Sequence, residues 1–220
     1  MYTGAKAPFF IMPHIHAIIN ELKKHFPDPR SDLHYSSPWQ LFVAVVLSAQ
    51  CTDKRVNEVS RILFDRYPDV QSFSRLSTSE LEGFIQSTGF FRNKARHITD
   101  AAHMIIEKWG GKVPLTMEEL LTLPGIGRKS ANVLMTVYAE PQGIVVDTHV
   151  IRISGRLSLS QSKAPQVIEK DLTAVFPHSE WAFVNQAMVL FGRYICKARN
   201  PECGRCDLHA YCILHNGKLS

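Results

Sequence analysis

The feature that most constrains this sequence is a helical spacing of apolar residues along almost the whole chain. Residues 13–26 predict one such helix, whose apolar face comprises Ile15, Ile18, Ile19 and Leu22. No segment sustains the alternation of apolar and polar residues that a half-buried strand requires. The best strand candidate, residues 143–146, is only four residues long and is predicted to be an extended connector. We therefore predict an all-α protein with two helical domains flanking a cleft.

Capping signals predict where the helices begin and end. Serine followed by proline suits the N-cap and first helical positions, and Ser/Thr followed three residues later by Glu forms a capping box. A Gly-Gly pair after residue 109 predicts the end of another helix. The predicted helices begin near Pro38, at Thr52 or Asp53, and near Ser77, Lys94, Thr116, Pro165 and Glu180.

Composition excludes several classes of protein. The chain has 220 residues, 45% of them hydrophobic and 20% charged, which is ordinary for a globular protein and excludes disorder, collagen and coiled coils. The longest apolar run, 41–47, is far shorter than the roughly 20 residues that cross a bilayer. Residues 1–13 make too weak a secretory signal, so we expect a soluble intracellular protein. A net charge of +5 is compatible with a polyanionic partner.

Residues 117–138 contain a glycine-rich turn between two helical patterns, in the sequence MEELLTLPGIGRKSANVLMTVY. Gly125 and Gly127 allow a sharp turn and a close approach to a ligand. The free N–H groups of the following helix would bind an anion, for which DNA phosphate is the natural candidate. An ordinary αα-turn is the alternative, but the turn followed by Arg128 resembles the helix-hairpin-helix DNA-binding motif.

Two residues near this turn are candidates for chemistry. Lys129 is predicted in the first turn of a helix, where the helix dipole and Arg128 disfavour its charged form and favour a nucleophilic amine. Asp147 is predicted to cap a later helix, which would hold its carboxylate ionised. The simpler alternatives are a phosphate contact for the lysine and a purely capping role for the aspartate.

Four of the five cysteines occupy the last 25 residues, with the spacing Cys196-x6-Cys203-x2-Cys206-x5-Cys212. Four thiolates bind either zinc or an iron–sulfur cluster. Structural zinc sites usually have two Cys-x2-Cys pairs, and only one pair is present here. The same segment contains three candidate DNA contacts, Lys197, Arg199 and Arg205. The alternative is that the metal site only stabilises the fold and these charges are incidental. Cys51 is predicted to be a packed thiol.

Together, the hairpin, residues 146–149 and the cysteine spacing resemble the endonuclease III family, bacterial bifunctional DNA glycosylase/lyases of the helix-hairpin-helix superfamily. The resemblance extends over residues 18–213. It implies a six-helix barrel at 31–141, containing the helix-hairpin-helix at about 117–139, and an iron–sulfur cluster domain formed by 1–30 and 142–220. The implied substrate is duplex DNA with oxidised or otherwise damaged pyrimidines, or with abasic sites.

The resemblance also assigns roles to residues. Lys129 matches the lysine that forms a Schiff base with C1′, and Asp147 matches the carboxylate that assists base departure. Gln50 matches the residue that fills the space of the extruded nucleotide. Phe90 falls where the family commonly has a leucine wedge, and this departure leaves the opposite-base preference open. The implied [4Fe–4S] ligands are Cys196, Cys203, Cys206 and Cys212.

Four other functions compete with this interpretation. Adenine glycosylases share the hairpin and cysteine pattern, but they usually lack the lysine and have a catalytic glutamate in the helix at 39–50, where this chain has no acidic residue. Thymine-mismatch glycosylases also differ at the lysine. A non-catalytic DNA-binding module and a zinc-stapled regulator remain further alternatives. We expect a monomer in the bacterial or archaeal cytoplasm, associated with the nucleoid.

Overall fold

The computed structural model describes residues 13–216, and within them it contains α-helices and short 3-10 turns but no strand. This confirms the predicted all-α fold class. No helix in that range is long and apolar enough to cross a membrane. The α-helices are α1 (Pro13–His25), α2 (Pro38–Ser48), α3 (Asp53–Arg66), α4 (Val70–Phe73), α5 (Thr78–Ile85), α6 (Phe91–Trp109), α7 (Met117–Leu120), α8 (Arg128–Tyr138), α9 (Thr148–Arg156), α10 (Pro165–Val175) and α11 (Trp181–Tyr194).

The chain divides into two compact units, one formed by residues 31–142 and the other by 1–30 with 143–220. Helices α2–α8 belong to the first unit, and α1 with α9–α11 belong to the second. The predicted barrel and cluster domains had their boundary one residue earlier, between 141 and 142. The barrel arrangement itself stays a prediction.

Helix α2 lies at the centre of the unit 31–142. Its residues 39–47 are all buried, because a helix that is apolar on every side is stable only when surrounded by protein. The Trp39 ring stacks on Phe42 with centroids 5.2 Å apart and meets Phe73 edge-on at 5.2 Å. Ser37 caps the helix by accepting a hydrogen bond from the Gln40 amide, as predicted. Because residues 39–47 are packed on all sides, the last turn of α2, which precedes Gln50, is held in place.

In the other unit, α1 and α9 both pack against α11. The four predicted apolar residues of α1 are buried in this core. Glu21, on the same helix, is only 3% exposed. Its Oε1 accepts a hydrogen bond from the backbone N–H of Asp207 at 3.0 Å. The N-terminal helix therefore holds the cysteine-rich segment near the C-terminus through a buried carboxylate.

Several predicted helix ends differ from the structure. Helix α6 begins at Phe91, three residues before the predicted start, because its N-cap Phe90 has no side-chain capping bond and gives no sequence signal. The predicted capping box at Thr116 forms only in part. The Thr116 side chain accepts from the Glu119 amide, but the Glu119 carboxylate accepts from the indole of Trp109 at 3.0 Å. The helix it caps, α7, is a single turn.

Candidate active site and nucleic-acid interface

The glycine-rich turn between α7 and α8 leads directly into the N-terminus of α8. Gly127 is the N-cap of α8, and no side chain caps the first amides of that helix. Ile126 is buried and anchors the turn, whereas Gly125, Gly127 and Arg128 are exposed. Uncapped N–H groups at a helix N-terminus, together with the helix dipole, attract anions. The turn can therefore hold a phosphate with its backbone.

The two glycines of the turn have different roles. Gly125 has φ +82°, in the left-handed region, and a Cβ at this position would lie 3.0 Å from Cβ of His97. Gly127 has φ −107°, and an added Cβ would contact no atom of the chain. Gly125 is therefore required by the fold of the turn itself. Gly127 leaves open space on the exposed side of the turn.

Lys129 lies in the first turn of α8, as predicted, and its side chain is exposed. Residues Ala131 and Asn132, farther along the same helix, are buried in the core of the unit 31–142. The helix thus presents the amine of Lys129 next to the uncapped amides of the turn. An amine in this position can reach a ligand whose phosphate is bound by those amides.

Asp147, in the other unit, is the N-cap of α9, also as predicted. Its Oδ1 accepts hydrogen bonds from the amides of His149 at 2.8 Å and Val150 at 2.9 Å. Both capping bonds use the same oxygen, so Oδ2 is not needed for the cap. The side chain is half-buried. Capping and a chemical role are therefore compatible in this carboxylate.

Sequence reasoning missed Asn185, which supports the connector that leads to Asp147. Asn185 lies on α11 and is 4% exposed. Its Oδ1 accepts from the Val145 amide, and its Nδ2 donates to the Gly143 carbonyl at 3.0 Å. The side-chain amide thus pairs with the connector as a neighbouring strand would. No local signal identifies it, because its partners are 40 and 42 residues away in the sequence.

Gln50 and Phe90 share an uncommon backbone conformation. Both have positive φ, 53° for Gln50 and 48° for Phe90, although neither is glycine. Both are exposed, and Phe90 is 64% exposed despite its large apolar ring. Non-glycine residues in this region are strained and are often found where function requires a particular direction. Each turn therefore holds its side chain away from the core.

The four clustered cysteines line one cavity in the unit that contains the C-terminal segment. All four are half-buried free thiols. Among residues 13–216, no three Cys, His, Asp or Glu side chains form a group that could hold a single metal ion. A zinc ion would draw four sulfurs to about 2.3 Å from one point, whereas a [4Fe–4S] cluster takes its thiolates at separate irons. Four thiols that line one cavity without forming a single-metal group fit the cluster better than zinc.

Two arginines of α9 hold the first of these cysteines. Arg156 donates from Nη1 to the Sγ of Cys196 at 3.1 Å and to the Lys197 carbonyl at 2.8 Å. Arg152 donates from Nε to the Cys196 carbonyl at 3.0 Å. Burial raises the pKa of the neighbouring Cys206 thiol to about 11. Arg156 therefore places a cationic donor against the Cys196 sulfur, and the thiolate is the form in which cysteine binds metal.

The three candidate cations of this segment are in different situations. Glu202 accepts from Lys197 Nζ at 2.7 Å and from Arg205 Nη1 at 2.6 Å. The hydrogen bond from Lys197, and then the one from Arg205, lower the pKa of the Glu202 carboxyl. Arg199 is exposed and forms no ion pair within the described part of the chain. Of the three, Arg199 has its charge most available for an external anion.

Cys51 lies in the other unit, far along the chain from the clustered cysteines, and its thiol is half-buried. It packs against the hydrophobic core formed by residues 31–142. The prediction of a packed thiol is confirmed.

Comparison with known proteins places this geometry in a family. Residues 43–178 match the model of the HhH-GPD superfamily of base excision DNA repair proteins. The chain is 47% identical to endonuclease III of Synechocystis sp., over 87% of this chain and 88% of that protein. It is 41% identical to endonuclease III of Bacillus subtilis, over 88% and 89% of the two chains.

Solved structures agree with these relatives. A trapped covalent intermediate of endonuclease III with DNA matches with a TM-score of 0.85 and 40% identity, covering 94% of this chain and 98% of that one. A thermostable thymine-DNA glycosylase matches with a TM-score of 0.80 but only 20% identity, which supports the fold alone. The chain belongs to the endonuclease III family of the HhH-GPD superfamily.

Proposed function

We propose that this protein removes damaged pyrimidines from duplex DNA and nicks the resulting abasic site, with Lys129 as nucleophile. The observation that carries the proposal is an exposed lysine in the first turn of α8, next to helix amides that no side chain caps. Amides that bind a DNA phosphate would bring the adjacent deoxyribose to the amine. A solved endonuclease III has been trapped as a covalent intermediate with DNA, which supports a nucleophilic residue in this chain.

In this mechanism the neutral amine of Lys129 attacks C1′ of the damaged nucleotide. The bond from C1′ to the base breaks, and the base leaves with the electron pair and takes up a proton. Opening of the sugar ring gives an iminium link between C1′ and Nζ. The iminium acidifies the C2′ protons, so the loss of one expels the 3′ phosphate and cleaves the strand. Water then releases the lysine.

Asp147 has the complementary role in this proposal. Positive charge develops on the sugar as the base departs, and an ionised carboxylate stabilises it. The cap holds the side chain in place through two amide hydrogen bonds to Oδ1. Oδ2, which the cap does not use, is the atom that would assist proton transfer. Asn185 holds the connector that leads to this residue.

Access to C1′ requires the nucleotide to leave the base stack, at a cost of roughly a few kcal/mol. Phe90 supplies a large exposed apolar ring that can wedge between bases, and Gln50 supplies a polar group that can fill the vacated space. Damaged bases stack and pair less well, so their extrusion costs less. Part of the selectivity for lesions therefore comes from the DNA.

The cysteine cavity is proposed to hold one [4Fe–4S] cluster on Cys196, Cys203, Cys206 and Cys212. The cluster would join the ends of a segment that buries little apolar surface, and metal binding there contributes folding free energy. Arg156, which donates to the Cys196 sulfur, would hold this ligand in place. Bacterial relatives support a bacterial setting, and we propose a monomer that acts on nucleoid DNA in the cytoplasm.

The catalytic assignment predicts different losses for two substitutions. Lys129→Gln removes the nucleophile but keeps similar length and polarity, so binding to a duplex containing thymine glycol should persist while strand cleavage is abolished. Asp147→Asn keeps the cap but removes the charge, and base release should slow by roughly 100-fold or more with little change in affinity. Gel analysis of labelled duplex measures both. Native cleavage by Lys129→Gln would contradict the assignment.

The two glycines predict a separation of stability from binding. Gly125→Ala places a side chain in the left-handed region, which costs about 1–2 kcal/mol, and also crowds His97. Gly127→Ala changes only the N-cap preference, which costs at most about 1 kcal/mol. Thermal unfolding should therefore report the larger loss for Gly125→Ala. Duplex affinity should fall for Gly127→Ala even in the folded protein, and unchanged affinity would exclude close phosphate contact at this turn.

The cations of the cysteine segment predict a salt effect. Arg199→Ala should weaken binding to damaged and undamaged duplex equally and reduce the slope of log affinity against log salt by about 1. The control is Glu202→Gln, which removes the negative charge that pairs with Lys197 and Arg205. It should strengthen binding to both the damaged and the undamaged duplex. Fluorescence anisotropy across a salt series measures the slopes. If Arg199→Ala weakened only damaged DNA, the residue would read the lesion and the assignment would be wrong.

A further inference from the structure

Lys94 is a buried lysine that the chemistry above does not use. It lies on α6 and is only 4% exposed. Its Nζ donates to the Leu47 carbonyl at 2.8 Å and to the Thr88 carbonyl at 2.7 Å. Both acceptors are backbone oxygens of other segments. A single ammonium therefore joins two parts of the unit 31–142 that are 41 residues apart in the sequence.

The two carbonyls belong to the segments that precede Gln50 and Phe90. Leu47 lies in the last turn of α2, three residues before Gln50. Thr88 ends the 3-10 turn at Gln86–Thr88, two residues before Phe90. The last carbonyls of a helix lack partners within the helix and are the negative end of its dipole. An ammonium satisfies them more strongly than a neutral donor does.

This arrangement is costly for the protein. Burial removes the ammonium from water and lowers the pKa of Lys94. An apolar side chain would fill a core position without that desolvation. The two contacts offset the cost only because the carbonyls stand where the charge can reach both. What the charge provides beyond packing is a fixed distance between the two turns.

We propose that Lys94 is a positioning residue for nucleotide extrusion, which fixes the wedge Phe90 and the plug Gln50 relative to one another. The inference rests on the proposed function, because it assumes that both residues enter the duplex. Wedge and plug must act at one base pair, so the separation of their turns has to match the DNA before binding. Without the ammonium, Gln50 and Phe90 would stay in their turns, but the two turns would no longer be held in fixed positions relative to one another.

The proposal separates extrusion from chemistry. A preformed abasic site has no base to unstack, so its cleavage depends less on the wedge and plug than base excision does. Lys94→Met keeps a long side chain but removes the charge and the donors. Its base excision at saturating protein should fall about tenfold, the rate change that corresponds to about 1.4 kcal/mol. Its cleavage of abasic DNA should fall less.

The direct readout is base unstacking in DNA that cannot react. A duplex with 2-aminopurine opposite a tetrahydrofuran site should gain fluorescence with the native protein, because the wedge and plug disrupt stacking. Lys94→Met should lose most of this gain, and Lys94→Arg, which keeps charge and donors, should retain it. The matched control is Thr99→Val on the same helix, which removes a buried hydroxyl that bonds to Ala95 and Arg96 carbonyls. The control should retain the gain.

Two comparisons decide the outcome. In a Phe90→Ala background the wedge is already absent. If Lys94 acts through the wedge, Lys94→Met should then cause little further loss of fluorescence. A general loss of stability would instead add to the loss caused by Phe90→Ala. If Lys94→Met gave the same fluorescence gain as Thr99→Val while the native protein excised bases normally, the inference about Lys94 would be overturned and the proposed function would stand. A native protein that neither excises bases nor cleaves abasic DNA would instead refute the proposed function.

If Lys94→Met lost its helical circular dichroism, Lys94→Gln, with two donors and a shorter reach, would take its place.

Discussion

The unsatisfied backbone groups at helix ends are the constraint on which this structure depends. An α-helix leaves four N–H groups and four C=O groups without partners inside the helix. At the start of α8 no side chain caps the amides, and Lys129 stands beside them. At the start of α9 the cap is Asp147. At the end of α2 the carbonyl of Leu47 is satisfied by Lys94. Each proposed role in catalysis or extrusion uses such a helix end.

The same constraint explains how far the sequence predicts the site. Capping residues act on amides two or three positions away, so Ser37 and Asp147 could be recognised from their neighbours. The glycines of the hairpin and the spacing of the cysteines are local signals as well. All of these features lie within short stretches of chain. The all-α fold followed from the period of the apolar residues.

The remainder depends on contacts that no local pattern records. Lys94 bonds to backbone carbonyls 47 and 6 residues away, and Asn185 bonds to backbone groups 40 and 42 residues away. In the sequence each is an ordinary polar residue on a helix. The early start of α6 has the same origin, because Phe90 is held in a left-handed conformation without a cap. The pairing of Glu202 with two cations also became visible only in three dimensions.

The most direct test of the mechanism is to trap the lysine adduct. Borohydride reduces the iminium between Lys129 and C1′ to a stable amine, so incubating the native protein with abasic duplex and borohydride should yield a covalent complex. Digestion and mass spectrometry should locate the deoxyribose remnant on Nζ of Lys129, and Lys129→Gln should give no complex. A remnant on another amine, or native levels of complex from Lys129→Gln, would contradict the mechanism.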